Sequence, residues 1–327
     1  MTLKLIAKIL SVIFLLAAFA IALFVMGSFI RAQYTQKQDR IASSPKGGTH
    51  VQAYDTQLFV QRVGATNAPV VVFVHGTGAW SELWRPYMNQ VAGMGYQAIA
   101  LDIPPFGYSL PPTSERYSKA EQAKRIFSAL DSLGIQKAIF VSHSIGSSPL
   151  MEAVLTHPER VNKLVLVSAA LGLDAPLSNG EESLLQGLIK QRWLSETLSA
   201  CIFANPLFTE MLVKSFVTEK DKVTSAWVEL YRTPCSLSEY YQNVALWIPQ
   251  LLEGRGAYVS DNPESYRGIQ FPTFLIWGAN DTITPMSQAE YLVKLIPDAK
   301  LMVLPGGHVP MIESPNEFSR FLTTALK

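Results

Sequence analysis

Three polar side chains of types that act together in nucleophilic catalysis each follow a short apolar run of the sequence. Ser144 follows KAIFVSH, Asp281 follows TFLIWGAN, and His308 follows KLMVLPGG. A serine hydroxyl is activated when an imidazole accepts its proton, and a carboxylate holds that imidazole in the right tautomer and stabilises its cation. Such a set would transfer an acyl group to water.

The segment around Ser144 carries a recognisable turn motif. KAIFVSHSIGSSPL puts Ser144 between a buried strand and a helix, with Gly146 two residues on, and it resembles the nucleophile elbow G-x-S-x-G of α/β-hydrolases. The neighbouring residues must be small because the serine sits on a sharp turn with strained dihedral angles. Ser142 stands where the motif has its first glycine, and it is small enough for the turn to survive.

A glycine-containing loop earlier in the chain resembles a second family feature. After the strand VVVFVH comes GTGAW, which is similar to the His-Gly-x-Gly loop of α/β-hydrolases. The resemblance implies that the backbone N–H groups of Thr77 and Ile145 form an oxyanion hole, which stabilises the developing negative oxygen. It also implies that Gly76 and Gly78 let this loop approach closely and that His75 shapes the loop rather than acting as a base.

Two later segments match the same family. Asp281 lies in TFLIWGANDTITP, which is similar to the Trp-Gly-x-x-Asp segment, and His308 lies in KLMVLPGGHVP, which is similar to Gly-Gly-His. The order Ser144, Asp281, His308 is the one that this fold requires. The resemblance implies that His308 is the general base and Asp281 its orienting carboxylate. The other four histidines are not expected to be the base, because they lie at the start of the folded part, in the oxyanion loop, in the elbow and at a helix end (His50, His75, His143, His157).

Alternation of short apolar runs with longer amphipathic ones predicts βα units. With the resemblance, the fold class is a mostly parallel eight-stranded α/β-hydrolase sheet with helices on both faces, formed by residues 49–171 and 270–327. About a hundred residues between the strands ending near Ser168 and starting near Phe271 lack comparable strand-like runs. Residues 172–269 are therefore predicted to be an inserted helical cap, and their many aromatic residues suit a lid over a pocket.

The N-terminus predicts a membrane anchor. Ile9–Ile30 contains no charge, and as a helix it would be about 33 Å long, enough to cross a bilayer as a single pass. The domains are then an anchor at 1–32 and a polar tether at 33–48. A cleaved signal peptide is the competing interpretation, although the apolar run is longer than its usual core. Basic residues flank both ends, and an extracytoplasmic catalytic domain is weakly favoured.

Composition limits the partners. The 327 residues carry a formal net charge of +1 and only 16% charged residues, so no nucleic-acid partner is expected. Cys201 and Cys235 are the only cysteines, and we expect two buried thiols, with one disulfide as the alternative. The expected protein is a monomer that contacts the bilayer through residues 9–30 and binds a lipophilic small molecule. No cofactor and no metal is expected.

The predicted function is a serine hydrolase that cleaves a carboxylic ester or related acyl bond through an acyl-enzyme intermediate. Several activities share these motifs, so the substrate stays open. The alternatives are a non-catalytic binding or receptor-like protein of the same fold, a lyase that uses the same triad, and a carbon–carbon hydrolase or perhydrolase.

Overall fold

The short apolar runs form the strands of one sheet. The computed structural model describes residues 3–173, 184–252 and 256–327, and its sheet has eight strands. Runs such as VVVFV are rich in β-branched residues and covered on both faces, so they are continuous rather than alternating. The strands are β1 (Gly48–Ala53), β2 (Thr56–Val63), β3 (Val70–Val74), β4 (Gln97–Leu101), β5 (Ala138–His143), β6 (Val161–Val167), β7 (Thr273–Gly278) and β8 (Lys300–Leu304).

The strand order is β1-β2-β4-β3-β5-β6-β7-β8. The pairs β1–β2 and β2–β4 are antiparallel, and all other neighbouring pairs are parallel. The predicted fold class is confirmed. Since the carboxyl ends of parallel strands lie at one edge of a sheet, the loops that follow β3, β5, β7 and β8 meet there.

Helices cover both faces of the sheet. Those of the described residues are α1 (Leu3–Thr35), α2 (Arg85–Gly93), α3 (Lys119–Ser132), α4 (Ser147–Thr156), α5 (Leu184–Ile189), α6 (Arg192–Leu198), α7 (Thr209–Phe216), α8 (Ser225–Arg232), α9 (Tyr240–Trp247), α10 (Pro263–Tyr266), α11 (Met286–Leu295), α12 (Pro310–Glu313) and α13 (Pro315–Leu326). One face packs on α3, α4 and α11, and the other packs on α2 and α13. The sheet is therefore buried between two helical layers.

The region between β6 and β7 is helical where it is described, with α5 to α10 and a π-helical turn at Ser199–Phe203. Its interior joins α9 residues such as Tyr240 and Trp247 to Phe106 of the core in one apolar cluster. Cys201 and Cys235 are both buried, free thiols. Residues 174–183 and 253–255 of the predicted cap, and residues 1–2 of the predicted anchor, lie outside the described residues, and the domain boundaries stay predictions.

The N-terminal helix α1 is long and apolar enough to cross a membrane, properties that a signal sequence would share. Side chains of residues 5–24 are exposed, whereas Ser28 and Ala32 are buried. The ring of Phe24 packs edge-on against Phe208, with the centroids 6.0 Å apart. The first part of α1 is thus largely exposed, and from Phe24 onwards the helix contacts the region between β6 and β7.

Of residues 33–48, predicted as a tether, residues 33–35 belong to α1, and residues 36–48 do not extend freely from it. The Gln36 side chain accepts a hydrogen bond from the Tyr241 N–H at 3.0 Å, and the Gln38 N–H donates to the Ser236 carbonyl at 3.1 Å. The polar composition that suggests a solvated linker instead supplies hydrogen bonds to exposed backbone groups of the cap. This segment is a packed arm.

Candidate active site

Ser144 lies on a sharp turn between β5 and α4. Its φ of +53° falls in the left-handed region, which a residue with a side chain adopts only at an energetic cost. A Cβ atom on Gly146 would lie 2.1 Å from the His75 carbonyl oxygen, so glycine is required there. Ser142 is buried, and its Oγ is 2.8 Å from the Ser147 Oγ. The serine that replaces the motif's first glycine therefore has a hydrogen-bond partner.

The structure brings Ser144, His308 and Asp281 together. His308 Nε2 is 2.8 Å from Ser144 Oγ, and His308 Nδ1 is 2.9 Å from Asp281 Oδ2. All three side chains are buried. With its Nδ1 proton donated to the carboxylate, the ring presents the lone pair of Nε2 to the serine hydroxyl. This arrangement can remove the serine proton as the hydroxyl attacks a carbonyl group.

Asp281 is held in the ionised form by its surroundings. Burial by itself would raise its pKa, but hydrogen bonds from His308 and Thr284 outweigh burial and hold the pKa of Asp281 below its ordinary value. The Ile283 and Thr284 N–H groups donate to Asp281 Oδ1 at 2.9 and 2.8 Å, and the Thr284 hydroxyl donates to Oδ2 at 2.7 Å. The carboxylate thus has a fixed orientation.

His143 and Glu313 fix the loop that carries His308. His143 Nε2 lies 2.9 Å from the His308 carbonyl oxygen, and burial, reinforced by the neighbouring His308 ring, lowers the pKa of His143 to about 3. The neutral ring therefore donates from Nε2. The buried Glu313 carboxylate accepts hydrogen bonds from the N–H of Gly307 at 2.8 Å and from that of Thr218 at 2.7 Å, so it ties the loop to the cap.

The loop after β3 lies against the elbow. The Ile103 N–H donates to His75 Nε2 at 2.8 Å, and His75 Nδ1 is 2.9 Å from the Gly76 carbonyl oxygen. A Cβ on Gly76 would lie 2.9 Å from the Ser144 Cβ, so this approach needs glycine. Among the described residues, no backbone carbonyl accepts a hydrogen bond from the N–H of Thr77, so this donor is available beside Ser144.

His75 contacts backbone groups on two sides, and its predicted role as a loop-shaping residue stays a prediction. Burial lowers the pKa of His75 to about 4, and both ring nitrogens are already engaged by backbone groups. Gly78 adopts a φ of +69°, which favours glycine. This loop therefore lies beside Ser144, with Gly76 in close contact with the elbow.

The loop after β4 forms a wall of the site. Asp102 at its start is buried and accepts hydrogen bonds from the N–H of Ser81 at 2.6 Å and from that of Tyr108 at 2.7 Å. Burial raises the pKa of Asp102 to about 6. Asp102 makes no hydrogen bond to His308 among the described residues, and its contacts give it a structural role.

Two neighbouring cavities lie beside the elbow and share Lys119, Ile145 and Ser148 in their walls. The first is partly open to solvent and is lined mainly by apolar groups that include Phe106 and Trp247. The second is more polar. Lys119 contacts Asp261 in an ion pair. Within residues 3–173, 184–252 and 256–327, no group of three His, Cys, Asp or Glu side chains could hold a metal ion.

Sequence reasoning missed three side chains that support this site: Thr284, His143 as a partner of the His308 loop, and Glu313. Each acts through a hydrogen bond to a carboxylate or backbone group brought close by the fold. The proline after TIT hints at a turn, but no sequence signal assigns these partners. All residues predicted from the motifs lie at the carboxyl edge of the sheet.

Comparisons with known proteins agree with this architecture. A family model described as alpha/beta hydrolase fold matches residues 69–315. Among curated proteins, the 2-hydroxymuconate semialdehyde hydrolase of Pseudomonas sp. (strain CF600) is 27% identical and covers 85% of this chain and 93% of its own length. The 2-hydroxy-6-oxo-6-phenylhexa-2,4-dienoate hydrolase of Burkholderia cepacia is 26% identical, covering 78% of this chain and 87% of its own.

Solved structures give the same fold. A meta-cleavage product hydrolase from Pseudomonas fluorescens IP01 has a TM-score of 0.68 at 22% identity and covers 85% of this chain and 97% of its own. A structure described as a membrane phospholipase A has a TM-score of 0.66 at 21% identity, and covers 98% of this chain and 97% of its own. The second alignment includes most of α1. With the family match over most of its length, the chain belongs to the α/β-hydrolase fold family.

Proposed function

We propose that this protein is a serine hydrolase that cleaves uncharged, lipophilic carboxylic esters. The observation that carries this proposal is the buried chain of contacts in which His308 Nε2 is 2.8 Å from Ser144 Oγ and His308 Nδ1 is 2.9 Å from Asp281. Ser144 is the nucleophile, His308 the general base and Asp281 the carboxylate that stabilises the imidazolium ion. The relatives described as hydrolases support this reaction class.

The reaction proceeds in two acyl-transfer steps. Ser144 Oγ attacks the ester carbonyl as its proton passes to His308 Nε2, and the N–H groups of Thr77 and Ile145 donate to the oxyanion. The imidazolium then protonates the alkoxide as it departs as an alcohol, and the acyl group stays bound to Ser144. Water that loses its proton to His308 hydrolyses this acyl enzyme and restores the serine. No cofactor takes part in these steps.

The cavity walls favour a substrate without charge. Phe106, Trp247 and neighbouring apolar side chains line the first cavity. Lys119 is the one lysine or arginine in the walls of both cavities among the described residues, and its ammonium group is already paired with Asp261. A substrate carboxylate buried there would lack a free cationic partner. Its desolvation would then be uncompensated, at a cost on the order of several kcal/mol.

A single-pass anchor and an extracytoplasmic catalytic domain complete the proposal. The exposed apolar side chains of residues 5–24 support a bilayer as the partner of α1. The similarity to a structure described as a membrane phospholipase A extends over 98% of the chain, and a phospholipase acts on lipophilic esters. We propose that the protein acts as a monomer.

Carbon–carbon bond hydrolysis is the second candidate function. It is favoured by the relatives, which are described as hydrolases of 2-hydroxymuconate semialdehyde and of 2-hydroxy-6-oxo-6-phenylhexa-2,4-dienoate. Both names denote substrates that carry a carboxylate, and such a substrate would need a cation in the pocket. The pairing of Lys119 with Asp261 is the feature that disfavours it.

A comparison of two substrate series tests the ester proposal. The purified, detergent-solubilised protein is assayed with p-nitrophenyl esters of increasing acyl length and with 2-hydroxy-6-oxo-6-phenylhexa-2,4-dienoate. We expect kcat/KM to rise from the acetate to medium-chain esters and the dienoate to be turned over at least about 100-fold less efficiently, because its charge would be buried unpaired. Ser144→Ala is the matched control. Efficient dienoate cleavage with weak ester turnover would replace the ester proposal with carbon–carbon hydrolysis.

A further inference from the structure

The packed arm that follows α1 contacts the loop that carries Phe106, which is a residue of the pocket wall. Arg40 lies in this arm, 29 residues before the part of the chain that matches the family model, yet only 3% of its surface is exposed. Its Nη1 group donates to the carbonyl oxygens of Gly107 at 2.8 Å and Ser109 at 3.1 Å. These are charge-assisted hydrogen bonds in a buried setting, where they are strongest.

The loop that Arg40 contacts is fixed from the opposite side by Asp102. The Asp102 carboxylate accepts a hydrogen bond from the Tyr108 N–H at 2.7 Å, and the Ser109 hydroxyl donates to the Asp102 carbonyl oxygen at 2.6 Å. Gly107 has a φ of +62°, and a Cβ there would lie 2.1 Å from Asp102 Oδ2. A buried anion therefore holds one N–H group of the loop, and a buried cation holds two of its carbonyl groups.

Phe106 transmits this restraint to the substrate cavity. It precedes Gly107, lines the first cavity, and packs edge-on against Trp247 of α9 with ring centroids 4.8 Å apart. Displacement of the Gly107 and Ser109 carbonyl groups would move Phe106 relative to Trp247. It would leave the Ser144 elbow, which belongs to a different strand, in place.

We propose that Arg40 is a positioning residue that sets the Phe106 wall of the substrate pocket, an inference that rests on the proposed function. The arm is joined to the cap as well, through the Gln36 side chain and the Tyr241 N–H. The segment between α1 and the sheet thus acts on the substrate pocket through the loop that carries Phe106. It makes the shape of the pocket depend on residues that lie outside the hydrolase core.

The test compares full-length Arg40→Ala and Arg40→Lys with Lys46→Ala, which removes an exposed positive charge from the same arm. For Arg40→Ala we expect KM for a medium-chain ester to rise about 10-fold, as the loss of charge-assisted hydrogen bonds implies, while kcat for the acetate ester stays within about 2-fold. In Arg40→Lys the rise in KM should be smaller, because lysine keeps one cationic donor. Added guanidinium ion should lower the raised KM of Arg40→Ala. Lys46→Ala behaves like wild type.

A second measurement separates this proposal from the proposed function and from a folding defect. Amide hydrogen exchange of residues 103–110 needs no substrate, and we expect faster exchange there in Arg40→Ala than in wild type, with residues 138–150 unchanged. Faster exchange in a protein that hydrolyses no ester would uphold the positioning role and reject the ester proposal. Unchanged exchange at 103–110, or equal losses of kcat for short and long esters, would overturn the positioning role.

Discussion

The carboxyl edge of the sheet and the cap with its packed arm contribute to the site by different physical means. At the sheet edge, Ser144, Asp281 and His308 are 6%, 5% and 2% exposed and lie on short turns that directly follow strands. The cap side exposes large apolar groups, with Trp193 at 65% and Leu207 at 77%, and it reaches the pocket through contacts between distant segments. The comparison indicates that strand ends position the three polar side chains, whereas long-range packing shapes the cavity walls.

The largest effect is expected at the sheet edge. Asp281→Asn leaves the shape of the side chain but removes the charge that holds the His308 tautomer and stabilises its cation. We expect kcat to fall about 10⁴-fold with little change in stability. Asp131→Asn, which removes a half-exposed partner of Arg160, serves as the control and should retain full activity. A loss below about 10-fold in Asp281→Asn would remove Asp281 from the catalytic set.

A smaller loss is expected when the carboxylate keeps its charge but loses one donor. Thr284→Val removes the hydroxyl that donates to Asp281 Oδ2 at 2.7 Å. Because a hydrogen bond to a buried charge contributes about 1.5–3 kcal/mol, kcat should fall roughly 10- to 100-fold. Thr324→Val, at an exposed threonine of α13, is the matched control. Steady-state kinetics with one ester suffices, and wild-type kcat in Thr284→Val would show that backbone donors alone orient Asp281.

On the cap side, the expected change is in selectivity. Trp247→Ala removes an apolar wall of the first cavity. We therefore expect a shift of about 10-fold in the selectivity ratio, which is kcat/KM for a medium-chain ester divided by kcat/KM for the acetate. This size corresponds to the transfer free energy of a few buried methylene groups. Trp193→Ala truncates a cap tryptophan that is 65% exposed and should leave the ratio unchanged. Equal loss for all chain lengths would mean that the cap supports the chemistry itself.

The smallest effect concerns stability and pH. Burial lowers the pKa of His75 to about 4 and that of His143 to about 3, below the ordinary value near 6.5. Between pH 6.5 and 4 the unfolded chain therefore binds protons that the folded protein does not, and the free energy of unfolding falls as pH is lowered. The loss from pH 6.5 to pH 5 should be about 1–2 kcal/mol for each ring.

His143→Gln measures this contribution directly, since it keeps a side-chain donor that does not titrate. Thermal unfolding in detergent between pH 5 and 7 should show a flatter profile for His143→Gln than for wild type. His157→Gln replaces a histidine whose side chain is 57% exposed, and its profile should match that of wild type. Identical profiles for all three proteins would contradict the burial of neutral His143.

What could be predicted from the sequence follows the same division. The strands and the positions of Ser144, Asp281 and His308 after them depend on local patterns: apolar runs, small residues at the elbow, and the order of the motifs. The buried contacts of Arg40 could not be predicted from local patterns. A polar segment rich in serine and glycine has the same composition whether it is solvated or hydrogen-bonded to a distant loop. Thr284 and Glu313 were missed because their partners are set by the tertiary fold.

Labelling with a fluorophosphonate probe tests the central claim most directly, since such probes react with an activated serine and need no knowledge of the substrate. Purified, detergent-solubilised wild type and Ser144→Ala are compared, with short and long alkyl probes so that a closed cap does not mask the serine. The account predicts rapid labelling of wild type at Ser144 and none of Ser144→Ala. No labelling of folded wild type by either probe would contradict it and would favour a non-catalytic binding protein of the same fold.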